Sequence, residues 1–390
     1  MLPLNQSMTL AFLSALMISY VAIPPIVRVS KAKRLGALPN GRTSHVGVIP
    51  TLGGVAIFAA VTIGASLFLK DDFPREFQYI IPAMVILFFF GLKDDLVGLS
   101  PQKKMAGQFI ASLFIILAAD VRVVSLNGLF GIGEIPLGIS YVLSFVIFVG
   151  IINAYNLVDG IDGLAGGLGI FVSTVFGLWL FHLGRPNYAT FAFATAGGLI
   201  PFYFFNVFSK ENKLFMGDTG SQLLGLLFAT FAVKILWCPA DPGSLTFMQG
   251  EPAVVMAVMV IPIADTIRVM SLRILQGKSP FYADRNHFHH GLLSLGLSHW
   301  QASTTVILTN VAIFLVAWFL RNTGVLALGI LVLGLGLIAC TIPSLLLRYK
   351  IIDRKKVPGH EDHPHLQEDH EHVAETHKSA KKKEDVSSLN

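Results

Sequence analysis

A chain of 390 residues is long enough for two or three soluble domains at about 100–200 residues each. The composition excludes them: 53% of the residues are hydrophobic and 14% charged, against about 25% charged in an ordinary globular protein. With a mean hydropathy of +0.65, the net charge of +5 reports which loops face the cytoplasm and does not point to a nucleic-acid partner.

Runs such as Met84–Gly91 and Val325–Ile338 are apolar on every side, as lipid-facing or bundle-buried helices must be. The fold class is therefore an all-α polytopic membrane protein. Stretches of roughly 20 mainly apolar residues lie near 8–27, 51–69, 78–93, 106–120, 140–157, 164–183, 188–208, 219–237, 252–275, 301–320 and 324–347. They predict about eleven transmembrane helices. The first lacks the basic leader and small-residue cleavage site of a signal peptide. Between the fourth and fifth, residues 121–139 alternate apolar and polar around Asn127-Gly128, which predicts a small β-hairpin outside the membrane. The membrane domain is read as residues 1–350. Residues 351–390 form a charged, His-rich, disordered tail, read as solvated rather than as a metal tract. Two cysteines, Cys238 and Cys340, supply no disulfide framework.

Basic residues set the orientation. Arg28, Lys31, Lys33, Arg34, Arg42, Lys93, Lys103, Lys104, Lys210, Lys213, Arg273, Lys278, Arg285 and the tail fall on one side of the predicted bundle. Only Lys70, Arg75, Arg122, Arg185 and Arg321 fall on the other, with Lys234 and Arg268 inside helices. The positive-inside rule places the N-terminus outside and the C-terminus in the cytoplasm.

Every unusual polar cluster falls on that cytoplasmic side: Pro50–Gly54, Asp94-Asp95 with Lys103-Lys104, Asn153–Asp162, Phe215–Ser221 and Asp284–His290. Five loops contributing acids, amides and histidines to one face describe a membrane-surface active site. A transporter or flippase would instead spread ionisable groups through the membrane depth. Asp94 and Asp95 end a helix, where the macrodipole disfavours negative charge. They form either a solvated turn or a site facing a cation. Asn153, Asn156 and Asp159 recur at i, i+3 and i+6 and share a helix face. Asp218 or Thr219 is a helix N-cap, and flanking glycines also suit a diphosphate and a divalent cation there. His287, His289 and His290 beside Arg285 lack the partners of a zinc site and suit phosphate binding by imidazolium and guanidinium. Asp265 and Arg268 are either a buried ion pair or substrate contacts.

In order, PTLGG at 50–54, DD at 94–95 with SPQKKMAGQ at 100–108, NAYNLVDGIDGLAGG at 153–167, FMGDTGSQ at 215–222, PIADT at 262–266 and SPFYADRNHFHHGLL at 279–293 resemble the polyprenyl-phosphate N-acetylhexosamine-1-phosphate transferases, in the branch of WecA and TagO. Phe288 stands where that branch commonly has Ile. The resemblance covers residues 24–347. It implies transfer of a sugar 1-phosphate from a UDP-N-acetylhexosamine, UDP-GlcNAc above all, to undecaprenyl phosphate in the bacterial inner membrane. UMP is released and Mg²⁺, or Mn²⁺ in its place, is required. Another hexosamine or a MurNAc-pentapeptide donor is the alternative within the class, and a homodimer is compatible with the family. By the same resemblance Asn156 and Asp218 match metal positions and Phe215 and Asp162 uridine positions. Asp94, Asp95 and Asp159 are the catalytic carboxylates. Lys104, Asp265, Arg268, Arg285, His287, His289 and His290 complete the substrate contacts.

Overall fold

The computed structural model describes residues 4–36, 49–69, 75–237, 248–279 and 286–356. They form two units, Met1–Pro343 and Ser344–Asn390. In the second, the described residues continue the last helix to Lys356, and the tail beyond lies outside the described residues. The first unit holds every helix that builds the site.

Thirteen α-helices are present among the described residues: α1 (Leu4–Lys33), α2 (Gly53–Ser66), α3 (Phe77–Val97), α4 (Pro101–Leu113), α5 (Leu137–Val158), α6 (Leu164–His182), α7 (Pro186–Val207), α8 (Gly217–Trp237), α9 (Glu251–Val258), α10 (Val260–Leu275), α11 (Phe288–Ser294), α12 (His299–Phe319) and α13 (Val325–Lys356). All eleven predicted segments are helical, and the chain is a multi-pass membrane protein. By length and composition, seven described helices can cross a bilayer, or eight with α9 and α10 as one bent span. The predicted count of eleven is therefore not reached by that measure. With 14 and 13 residues, α2 and α4 rise only about 20 Å, short of a hydrocarbon core of roughly 30 Å. A π-helical turn, Phe114–Ala118, prolongs α4.

The predicted hairpin at 121–139 is not formed as paired strands. An isolated antiparallel bridge joins Ser125 to Glu134, and a 3₁₀ turn at Leu129–Gly131 closes it. Around the bridge Leu126 N donates to Gly133 O and Ile135 N to Val124 O, a pairing too short to make strands.

The bundle is organised around α8, which packs against α2, α3, α5, α6 and α9. Every residue from Thr219 to Ile235 is buried. A helix so enclosed needs close neighbours, and glycines supply them. At Gly54 a Cβ would stand 2.2 Å from the backbone nitrogen of Gly220, and at Gly225 one would stand 2.6 Å from Cα of Ile152. The one cation inside α8, Lys234, is paired with Glu76 at 2.5 Å and lies over the Trp237 and Tyr188 rings. A charge at this depth is tolerated only with such partners.

The segment predicted as a single helix over 252–275 is broken at Met259 and bent by 81°. The cause is local. Pro262 has no N–H to donate to the carbonyl of Val258, four residues earlier. Asn310 of α12 takes over the freed groups: its Nδ2 donates to that carbonyl at 2.9 Å and its Oδ1 accepts from Ile261 N at 3.0 Å. One side chain thus satisfies both halves of the break in an apolar setting.

The glycine contacts give a direct test. Replacing Gly54 by Val forces its neighbours apart and lowers the thermal unfolding midpoint in detergent by about 5 °C or more, a cost on the scale of core overpacking. Gly150, with nothing within 4 Å of a built Cβ, accepts Ala with little change.

Candidate active site

The site begins where α3 ends and α8 starts. Sequence reasoning makes Asp218 or Thr219 the N-cap of α8, but the cap comes from another helix. Asp95 Oδ1 accepts from Asp218 N at 2.7 Å, and Asp95 Oδ2 accepts from Thr219 N at 3.0 Å and from the Thr219 hydroxyl at 2.6 Å. The positive end of α8 answers the negative charge at the C-terminal end of α3, which resolves the dipole conflict. Gly217 makes the approach. Its φ is +72°, and a Cβ there would stand 2.2 Å from Thr51 O and 2.6 Å from Asp95 Oδ2. The PTLGG segment meets this turn through its backbone: Phe215 N donates to Pro50 O, and Gly53 N and Gly54 N donate to Phe215 O and Met216 O.

Capping directs the neighbouring carboxylates. Lys104, from α4, hydrogen-bonds Asp218 Oδ2 and stands 3.2 Å from Asp94 Oδ2. Asn156 donates to Asp218 Oδ1 at 2.6 Å and to the Ser221 hydroxyl at 2.7 Å. Asp159 ends α5. Burial raises Asp159 well above the usual carboxylate range, and the charges of Asp218 and Asp95 add to that. Asp94 and Asp218 share Lys104 with Asp95 and Asp159 beside them, so the carboxyl groups of the cluster outnumber its lysine.

Asn156, Asp159 and Asp218 line a cavity of about 360 Å³ together with Asp95, Thr51, Gly217, Gly160, Ile161, Asp162, Asn206, Phe215 and His299. Asp162 Oδ2 is 2.6 Å from Lys213 Nζ and 3.5 Å from His299 Nδ1. Burial alone raises a carboxyl, yet His299 and Lys213 hold Asp162 below its ordinary range.

The structure assigns Asp265 and Arg268 a bracing position: they form a buried ion pair at 2.7 Å. Asp265 also contacts His287 Nδ1 at 2.9 Å and accepts from Phe288 N, while Arg268 donates to the Asn286 carbonyl. Together they fasten the histidine segment to α10. His287 and His289 are buried and their rings stack, with His290 against His289. The expected imidazolium character fails at His289: burial, and then His290 and His287, push it down to about 3. Its Nε2 has no partner among the described residues and faces Gly160, where a Cβ would stand 2.3 Å away. A neutral imidazole therefore touches the DGIDG turn. Arg285 lies outside the described residues.

Sequence reasoning passed over several residues that the fold brings in. Asn206, deep in α7, accepts from Gly163 N at 2.6 Å and donates to Leu214 O at 2.8 Å. Gln108 joins Asn153 at 2.8 Å and Gln222 at 3.3 Å beneath the acids. Thus Asn153, on the predicted polar face, turns to the scaffold. Lys213 sits two residues before Phe215 and was visible only as an inner-loop cation, and His299 carried no motif at all.

No three His, Cys, Asp or Glu side chains converge as a closed metal site among the described residues. The all-oxygen pair of Asp218 and Asn156, beside a roomy polar cavity and surplus negative charge, fits a hard divalent cation. Mg²⁺ typically takes one or two protein ligands and completes its shell with phosphate oxygens and water.

Residues 77–236 match the sequence profile of glycosyl transferase family 4. The chain is 30% identical over 311 residues to the undecaprenyl-phosphate alpha-N-acetylglucosaminyl 1-phosphate transferase of Yersinia pestis, covering 79% of this chain and 82% of that one. The enzyme of the same name from Escherichia coli K12 is 30% identical over 301 residues, covering 76% and 78%. The decaprenyl-phosphate N-acetylglucosaminephosphotransferase of Mycobacterium tuberculosis is 34% identical over 322 residues, covering 76% and 78%.

The capping geometry predicts separable effects at adjacent acids. Asp95→Ala strips three donors of their acceptor and destabilises the protein by about 2 kcal/mol, the scale of a lost cap or an unsatisfied buried donor. Asp94→Ala removes a shared lysine contact and one acceptor, that of Leu99 N at 2.6 Å, and destabilises by about 1 kcal/mol, less than the loss at Asp95. Thermal unfolding of both variants in one detergent checks this.

Proposed function

The chain belongs to the glycosyl transferase family 4 enzymes that transfer N-acetylglucosamine 1-phosphate to polyprenyl phosphates, and from that premise we propose that it uses UDP-GlcNAc and undecaprenyl phosphate, releasing UMP. The observation that carries the reading is one cavity lined both by an aromatic ring and a paired carboxylate, Phe215 and Asp162, and by the acid–amide pair of Asp218 and Asn156. That layout suits a nucleotide whose base and diphosphate are recognised separately.

In this reading the ring of Phe215 takes the uracil, and the neighbouring Asp162 accepts from its N–H. Asp218 and Asn156 hold Mg²⁺, for which Mn²⁺ substitutes. When bound, the cation neutralises diphosphate charge and polarises the phosphoryl oxygens. Lys104, between Asp94 and Asp218, places a cation where acceptor and donor phosphates meet. Acceptor phosphate, with a second pKa near about 6, is mostly dianionic at neutral pH and attacks the donor's β-phosphorus directly. The bond to the UMP oxygen breaks as the new phosphoanhydride bond forms. Asp94 orients the acceptor phosphate or takes its remaining proton. Asp95 serves this chemistry by fixing α8, and Asp159 sets the local charge. His289, held neutral against Gly160 through His287 and the Asp265–Arg268 brace, serves as a hydrogen-bonding group beside the donor. His290 and Arg285 extend that edge.

Topology follows the same reading. We take α2, α3 and α4 with its π turn as further crossings, giving eleven, with the N-terminus outside and site and C-terminus in the cytoplasm of a bacterial inner membrane. This puts the basic loops beside the soluble donor and the lipid phosphate at the interface.

Purified protein supplied with labelled UDP-GlcNAc and undecaprenyl phosphate should form the lipid-linked sugar diphosphate and UMP. EDTA should abolish turnover and Mg²⁺ restore it. Asp218→Asn should remain folded and lose well over tenfold in rate, more than about 1.4 kcal/mol in the barrier. A variant retaining a tenth of the rate would remove Asp218 from the metal role. For topology, a cysteine at exposed Gln276 should be shielded from impermeant thiol reagents in intact cells, and one at exposed Gly133 should label, in a chain lacking Cys238 and Cys340.

A further inference from the structure

Three segments far apart in sequence meet at Asp162: the turn after α5, the stretch leading into α8 and the first residue of α12. Lys213 and His299 both approach the same oxygen, Oδ2, at 2.6 and 3.5 Å. The arrangement is built from behind. Asn206, 5% exposed, ties Gly163, next to Asp162, to Leu214, next to Lys213. On the other flank, Ser298 and Gln301 form a capping box that fixes where α12 begins, and hence where His299 stands.

A lysine–aspartate pair joining two loops is ordinarily structural, and Lys213 alone balances the charge of Asp162. His299 is surplus to that need. Its side chain is 54% exposed, and it shares the cavity wall with Asp162 and Phe215. With both bases on Oδ2, Oδ1 of Asp162 is left as the acceptor at the cavity wall, with His299 as a donor beside it. Uracil presents the complement in N3–H and a flanking carbonyl. Cytosine, with an unprotonated N3 and an amino group at C4, does not.

We propose that Lys213 and His299 are specificity-determining residues of the donor site, framing Asp162 as an edge that pairs with uracil and refuses cytosine. The proposal rests on reading this cavity as a UDP-sugar site. Lys213 holds Oδ2 in place, the imidazole of His299 reaches a uracil carbonyl, and Oδ1 of Asp162 accepts a hydrogen bond from N3–H. A cytosine in the same place sets its N3 lone pair against the carboxylate and its amino group against a donor. Sites that pair with a substrate's polar edge reject mismatched analogues strongly because buried partners are left unsatisfied.

The test uses the full-length protein in detergent, with Lys213→Met and His299→Phe beside the conservative Lys213→Arg and His299→Gln. Steady-state kinetics are run with UDP-GlcNAc and CDP-GlcNAc, and UMP and CMP binding are measured by calorimetry. Lys213→Met and His299→Phe should each raise KM for UDP-GlcNAc about tenfold or more, with kcat within about threefold and KM for undecaprenyl phosphate unchanged. UMP binding should weaken in parallel, the preference for UDP over CDP donors should narrow, and the conservative variants should recover most of the loss. Variants with unchanged KM and UMP affinity, or a defect confined to kcat, overturn the proposal. Should Lys213→Met fail to fold, His299→Phe and UMP titration of Lys213→Arg decide it. Wild-type protein that binds UMP over CMP yet does not turn over UDP-GlcNAc refutes the proposed activity and not this edge. Active wild-type protein with indifferent variants refutes this edge alone.

Discussion

The contact on which the site depends is the one between Asp95 and the first turn of α8. An α-helix starts with unpaired N–H groups, and α8 starts inside a bundle where water is scarce. Asp95 supplies two acceptor oxygens to Asp218 N, Thr219 N and the Thr219 hydroxyl. Because Asp95 rides on the last turn of α3, the bond also fixes α3 against α8. Adjacent residues on each side then point at a common space: Asp94 on one helix, Asp218 on the other, with Lys104 between them. One structural carboxylate thereby places two others. Removing it costs geometry before it costs chemistry.

Much of this was legible in the sequence. All eleven apolar segments are helical, because apolar residues in runs of this length have few other ways to satisfy their backbone. The polar clusters also gather: Asn156, Asp159, Asp162, Phe215 and Asp218 share one cavity. What was not legible depends on partners remote in the chain. Asp95 and Asp94 are identical neighbours in sequence, and only the arrival of α8 separates a helix cap from a lysine partner. The break at Met259 was hidden because Pro262 announces a lost hydrogen bond but not that Asn310 replaces it. The histidine segment offered three similar side chains, and burial decides that His289 is neutral. His299 and Asn206 belong to no local pattern.

A second theme is the division between polar groups that hold and polar groups that act. Asn206, Gln108, Asn310 and Asp265 are buried or nearly so, each spanning two elements with its hydrogen-bonding capacity. Asp162, Asp218, Asn156 and Phe215 are half-buried and border the cavity. Buried polar networks are costly unless satisfied and rigid when they are. Gln108, bonded to Asn153 on α5, and Asn206, bonded to Gly163 next to Asp162, limit how far the lining can drift, which is what orienting two phosphates within reach of each other demands.

The charge distribution of the cavity sharpens that argument. Asp94 and Asp218 share Lys104, and Asp159 beside them is raised by burial and by the charges of Asp218 and Asp95. Asp162, on the same cavity, is lowered because two bases attend it. The same residue type therefore carries two different charge environments. Surplus negative charge calls in a cation and, through it, phosphate, whereas a carboxylate already paired with two bases keeps its charge without needing a metal and remains free to read a base edge. A nucleoside diphosphate has that polarity, with a neutral base at one end and concentrated negative charge at the other. The two carboxylate environments of the cavity match that polarity.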